Sequence, residues 1–186
     1  MKEISGGVTA PGGFSAAGVT CGIKPSGKSD LALLKSDLPC RWAGVFTQNI
    51  FAAAPVKWCQ SLRNKKSPVH AVAVNSGAAN ACTGKEGDKN AKIMAELTSL
   101  AVGCSASQVL VASTGVIGRQ LPMDKIGLGI RSAANTLSPS GGADFATAIM
   151  TTDTVQKEYA VEVDLAGTKI RIGGCAKGVG MIHPRM

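Results

Sequence analysis

At 186 residues and 45% hydrophobic content the chain has material for an ample core, arranged as one large domain or two small ones. Aromatic residues reach only 4% while glycine counts 23, so that core must come from Ala, Val, Leu and Ile; no run approaches the ~18 apolar residues of a membrane span. The formal charge of +8 is spread out, its densest group being Arg63-Asn64-Lys65-Lys66, and no aromatic interleaves with Lys or Arg; this argues against nucleic acid and fits a basic surface that attracts a small anionic substrate.

Six cysteines, Cys21, Cys40, Cys59, Cys82, Cys104 and Cys175, lie far apart, with no Cys-x-x-Cys pair and no close His partner, so the spacing speaks against a zinc site. The opening Met-Lys-Glu-Ile-Ser-Gly-Gly lacks the apolar run of a secretory signal. Free, mostly buried thiols in a reducing compartment are expected, in a soluble, cytoplasmic protein with no metal or cofactor.

Residues 6–14 are rich in turn formers, and a small-residue strand is predicted over 14–23. Pro25-Ser26-Gly27-Lys28-Ser29 supplies turn chemistry. Gly22 to Ser29 fits the phosphate-loop pattern GxxxxGK[ST], but residues 30–35 read as a strand, not as the long helix such a loop needs. A hairpin is therefore predicted. Residues 42–47 read as another strand of the same sheet, and 52–64 as a short amphipathic helix with Pro55 in its first turn. The β-prone run 69–74 follows, and His70 inside it, with no carboxylate or cysteine near in sequence, reads as structural. It leaves through a loop of small residues, Asn75-Ser76-Gly77-Ala78-Ala79-Asn80, where function tends to sit. A helix over 88–103 places Ile93, Leu97 and Leu100 on one face.

Residues 109–112 read as a buried strand that breaks into Ser113-Thr114-Gly115-Val116-Ile117-Gly118. Such an end can present backbone N–H groups and a hydroxyl to an oxyanion, and it is also ordinary turn chemistry. Helices are predicted over 122–137 and 144–150, the second with Asp144 as its N-cap and closed by Thr151-Thr152-Asp153-Thr154. A hairpin pairs 159–164 with 169–172 across Ala166-Gly167. The chain then meets glycines at 173, 174, 178 and 180, which let backbone pass close to backbone or to a ligand. Lys177 stands among them, either a snorkelling surface lysine or a charge held for a ligand. The run stops at Met186 without a polar tail and reads as a cut end. With no internal repeat or interdomain linker, residues 1–186 are read as one unit of α/β class.

Six pieces, in order, carry a resemblance: Gly6-Gly7-Val8-Thr9-Ala10, Ala53-Ala54-Pro55-Val56, the run from Val74 to Asn80, that from Ser113 to Gly118, that from Ile149 to Thr154, and that from Ala176 to Ile182. Together they resemble the ornithine acetyltransferase family, the bifunctional glutamate N-acetyltransferases. The resemblance implies mixed sheets with flanking helices, an ornithine acetyltransferase or DmpA-like fold completed by a separate β chain. It implies a precursor that cleaves itself before a threonine; family members run on into Ala-Thr-Met-Leu where this chain reaches Met186, which makes 1–186 the α chain. The threonine, in the β chain, takes acetyl from N-acetylornithine and hands it to glutamate in a ping-pong cycle of arginine biosynthesis, its own amino group serving as base. By the same resemblance Thr114 and Gly115 form the oxyanion hole, and Thr151 and Lys177 bind substrate, Lys177 through the carboxylate. Thr152 and Thr154 stay open beside Thr151. Acetyl-CoA as a second donor and an α2β2 heterotetramer complete the expectation. His183-Pro184-Arg185 departs from the family by its charge.

Two other classes stay open on the residues: a self-processing amidase or aminopeptidase, told apart by whether acetyl goes to glutamate or to water, and a non-enzymatic binding module truncated at its C-terminus. The sheet is expected to lack its closing strands in this chain, which would leave it aggregation-prone alone.

Overall fold

The computed structural model describes residues 1–178 and Met186; the stretch 179–185, with His183-Pro184-Arg185, lies outside the described residues. In chain order the elements are β1 (Lys2–Ile4), β2 (Phe14–Val19), β3 (Leu31–Cys40), α1 (Ala54–Lys65), β4 (Val69–Ala78) and α2 (Gly84–Val102). Then come β5 (Val109–Val116), α3 (Met123–Asn135), α4 (Gly142–Ala148), β6 (Lys157–Leu165) and β7 (Thr168–Ala176). One sheet has the order β2-β3-β4-β5, antiparallel except for the parallel pair β4–β5; the other is an antiparallel β1-β6-β7. The α/β class and the flanking helices match expectation.

Parallel pairing of β4 and β5 needs a crossover, and α2 supplies it. Burial alternates along β4, so Ala71 and Ala73 face one layer. There they join Leu31, Leu33, Val109 and Val111 beneath Met94 of α2 and Ile126 and Ile130 of α3. The opposite face buries Ala16 and Ala32 against Phe145, Ala148 and Ile149, in and beside α4. The small side chains on the sheet let helices approach closely, which is how a core poor in aromatics closes.

Several expectations are corrected. Residues 42–47 form no strand: β3 already has β2 and β4 as neighbours. The segment is instead tied by Trp42 Nε1 donating to the Ser67 carbonyl (2.8 Å) and by Arg63 stacking 5.3 Å from the centre of the Phe46 ring. β4 continues through Asn75 to Ala78, where a loop was expected, and β5 runs on through Ser113 to Val116, because the two extensions pair with each other. α2 starts a turn before residue 88, and its buried face carries Ala91, Met94, Ala95 and Val102 while Leu100 is 81% exposed. Small residues face the sheet, so the largest side chains mislead about orientation. Asp144 is not the cap of α4: Gly141 holds that position and Asp144 sits in the first turn, where the helix dipole favours it.

The hairpin prediction for 22–29 holds, with β2 and β3 antiparallel and no helix after the glycines. The fully buried Asp30 fastens it, accepting from the backbone N–H of Cys21 (2.7 Å), Ile23 (2.6 Å) and Lys24 (2.9 Å). The His70 carbonyl accepts from Ser36 Oγ, its Nδ1 is buried without a hydrogen-bond partner, and the residue does not line the cleft at the carboxyl ends of β4 and β5. All six cysteines are free, though only Cys59 is buried and Cys82 is exposed. The sheet's two edges are β2 and β5. Ser138 bridges to Ala16 on the first, and Trp58 Nε1 donates to the Val109 carbonyl on the second (2.9 Å), so the edges are partly covered within this chain. Among the described residues no helix is long and apolar enough to cross a membrane.

Candidate active site

At the carboxyl ends of the parallel pair β4–β5 opens a cleft of 770 Å³. Open α/β sheets commonly bind ligands at this end of their strands. Six segments meet there: the β2–β3 loop with Lys24, Ala53 just before α1, the end of β4 at Gly77 with Ala79 just after the strand, the tip of β5 with Thr114 and Gly115, the loop after α4 with Thr151 and Thr152, and Lys177 beyond β7. All four residues expected to carry the site, Thr114, Gly115, Thr151 and Lys177, therefore border one cleft. Thr152 borders it too; Thr154 is not among the lining residues.

The tip of β5 is shaped by close backbone approach. Gly115 has φ +129°, and a Cβ there would strike the Gly77 carbonyl carbon and the Ala78 nitrogen of β4. The register is irregular at this point, Ala78 lying opposite both Thr114 and Val116. Such irregularities often re-aim groups beside active sites. Lys177 Nζ donates to Thr114 Oγ1 at 3.0 Å. Ser113 adds a buried hydroxyl without a hydrogen-bond partner.

The electrostatics favour an anion. The described lining residues include two lysines, Lys24 and Lys177, and no carboxylate. Lys24 donates to the carbonyls of Ser29 (2.6 Å) and Ala148 (3.5 Å). Burial pulls its pKa below the ordinary lysine value, against the opposing effect of Asp30. It was missed in the sequence because it sits in a loop that invited only a phosphate-loop comparison. Among the described residues no cluster of His, Cys, Asp and Glu could hold a metal.

Two carboxylates lie behind the lining. Asp153, its side chain 1% exposed, accepts from Gly178 N–H (2.8 Å), Lys157 Nζ (2.8 Å) and Thr151 N–H (3.1 Å). Led by the Gly178 bond, these contacts hold its carboxyl well below the usual carboxylate range. At Asp30 burial pushes the pKa up, but the N–H bonds from Cys21, Lys24 and Ile23 outweigh it and the net shift is downward. A depressed carboxyl pKa stabilises the fold above the ordinary value of about 4, and the gain is lost as pH falls through the folded pKa. The melting temperature should therefore fall as pH drops below about 4, while Asp30→Asn and Asp153→Asn start lower at pH 6 and lose less on acidification. Thermal melts across that range check this; parallel curves for wild type and both variants would contradict it.

The sequence profile described as the ArgJ family matches residues 15–186. The arginine biosynthesis bifunctional protein ArgJ of Symbiobacterium thermophilum is 52% identical over 188 aligned residues, covering all of this chain and 46% of that protein. The protein of the same name from Thermosynechococcus vestitus is 49% identical, again over the whole chain, with 44% of its own length covered. The chain thus spans about half the length of these curated relatives. A crystal structure of ornithine acetyltransferase complexed with ornithine from Mycobacterium tuberculosis superposes with a TM-score of 0.93 at 43% identity, over 98% of this chain and 97% of that one. A crystal structure of ArgJ from Bacillus halodurans gives 0.91 at 40% identity, over 98% and 96%.

Proposed function

Since the chain belongs to the ArgJ family, we propose that it is the single α chain of a self-cleaved precursor whose assembled form moves an acetyl group from N-acetylornithine to glutamate. The observation that carries this reading is the convergence of Thr114, Gly115, Thr151 and Lys177 on one cleft lined by two cations and no carboxylate. The division into chains has separate support: this chain covers 97% of the Mycobacterium tuberculosis chain but only 46% of the Symbiobacterium thermophilum protein.

The nucleophile is a threonine that opens the partner β chain. Its Oγ adds to the acetyl carbonyl carbon while its proton passes to the threonine's own amino group. Backbone N–H groups at Thr114 and Gly115 receive the negative charge that develops on oxygen, each such donor contributing about 2.7–4 kcal/mol to the transition state. The C–N bond breaks, the leaving nitrogen takes the proton, and ornithine departs from an acetyl-threonine ester. Glutamate's neutral amine then adds to that ester carbonyl, the C–O bond breaks, and the amine proton passes through the threonine's amino group to the leaving Oγ, giving N-acetylglutamate and the free hydroxyl. Lys177 holds the substrate carboxylate and Thr151 supplies a further polar contact. An α2β2 assembly, a cytoplasmic location and acetyl-CoA as a second donor belong to the same proposal.

The test is intact-mass analysis of the protein from its complete reading frame, before and after mixing with N-acetylornithine. Two chains, the second beginning with Thr and gaining one acetyl group that glutamate removes, are the expected result. Acetyl released to water at the same rate without glutamate would make it an amidase. One uncleaved chain without transfer would leave a binding module.

A further inference from the structure

We propose that Asp153 is a positioning residue of this cleft: its carboxylate ties the backbone of Thr151 to that of Gly178 and so fixes Lys177 against Thr114. The inference deepens the reading above and rests on it for the identity of the substrate.

The geometry divides the work between the two oxygens. Oδ2 accepts from Thr151 N–H at 3.1 Å, and Oδ1 accepts from Gly178 N–H and from Lys157 Nζ, both at 2.8 Å. Asp153 does not line the cleft itself, so it acts through its neighbours. The two segments it joins come from different parts of the fold, the loop after α4 and the chain beyond the end of β7. β7 ends at Ala176, and the bonds described for the two residues that follow are Lys177 to Thr114 and Gly178 to Asp153. A lysine has four rotatable bonds, so its ammonium is aimed only if its backbone is held. The bond one residue along from Lys177 supplies that hold.

The chemistry selects a carboxylate here. All three partners are donors, and an ionised carboxylate has acceptor sites for all of them. Asparagine has the same shape but turns one acceptor into an NH2 that must face another donor. Glutamate is a methylene longer in a side chain that is 1% exposed. Lys157 is different: it is 36% exposed and balances charge without joining the two segments.

The test compares wild type, Asp153→Asn, Lys157→Met, Lys177→Met and the Asp153→Asn/Lys177→Met double variant, all expressed from the complete reading frame. Amide hydrogen exchange should show Thr151 and Gly178 protected in the wild type. Both should lose protection in Asp153→Asn by more than β4 amides do, and keep it in Lys157→Met. For N-acetylornithine, kcat/KM should fall by up to about a hundredfold in Asp153→Asn, mostly through KM, as misplaced binding groups typically cost. The double variant should lose less than the product of the two single losses, because Asp153 acts in part through Lys177. Additive losses, or unchanged exchange at Gly178, would overturn the proposal. Should Asp153→Asn not fold, rapid exchange of both amides in the wild type would overturn it alone, and slow exchange would support it. A wild type that transfers no acetyl sinks the functional reading while exchange still decides the positioning role.

Discussion

Lys177→Met, in the assembled enzyme, should lower kcat/KM for N-acetylornithine by roughly tenfold to 150-fold, the equivalent of the ~1.5–3 kcal/mol carried by a hydrogen bond to a charged group. The loss should appear mainly as a higher KM, since the substrate carboxylate takes no part in bond making or breaking and is held in ground and transition state alike. The structure gives the reason for choosing this lysine. Among the described residues its side-chain partner is the neutral Thr114 hydroxyl and not a carboxylate. Lys24, the other cation of the cleft, already spends two donors on carbonyls. Thr114→Val tests the partner. It removes the hydroxyl that accepts from Lys177 and can itself donate to the oxyanion, so a loss in kcat would mark that hydroxyl as an oxyanion donor and a loss in KM alone would mark it as a support for Lys177. Steady-state kinetics with N-acetylornithine and with glutamate check both variants. An unchanged KM in Lys177→Met would remove the lysine from substrate binding.

How much of this could be read from the sequence depends on the kind of signal each residue leaves. The motif residues Thr114, Gly115, Thr151 and Lys177 were legible because they stand in short distinctive runs, and the structure adds that the runs meet. The β2–β3 hairpin was legible because a strand, not a helix, follows Gly27-Lys28-Ser29. Asp30 and Asp153 were not. A buried carboxylate that organises backbone N–H groups has no periodicity, and its partners need not be near in sequence: Gly178 lies 25 residues from Asp153. The face of α2 was misread for another reason. Of the expected stripe Ile93, Leu97 and Leu100, Leu97 does pack against the core but Leu100 is exposed, and close packing buries Ala91, Met94 and Ala95 instead. The continuation of β4 and β5 past residues 74 and 112 was hidden because small polar residues resemble a loop until their partner strand is known.

Gly115→Ala should destabilise the protein by about 2–6 kcal/mol, because two separate penalties meet at one atom. The first is conformational: φ of +129° lies where side chains other than glycine's absence of one are strained. The second is steric, since the new Cβ has nowhere to go but into the β4 backbone at Gly77 and Ala78, which cannot yield as a flexible side chain could. Gly118 separates the two. It also has a positive φ, +80°, but an added Cβ there meets nothing within 4 Å. Gly118→Ala should therefore cost only the conformational part, ~1–3 kcal/mol. In thermal melts the difference between the two variants measures how tightly β4 and β5 are pressed together at the floor of the cleft. Activity should separate them further. Pushing Gly115 away from β4 also moves the N–H assigned to the oxyanion, so folded Gly115→Ala protein should lose about 10²–10³ in kcat, as removal of such a donor does. Gly118→Ala should keep most of its turnover. Equal stability and equal kcat in the two variants would mean that the contact with β4 matters neither to the fold nor to the chemistry, and Gly115 would then be an ordinary turn glycine.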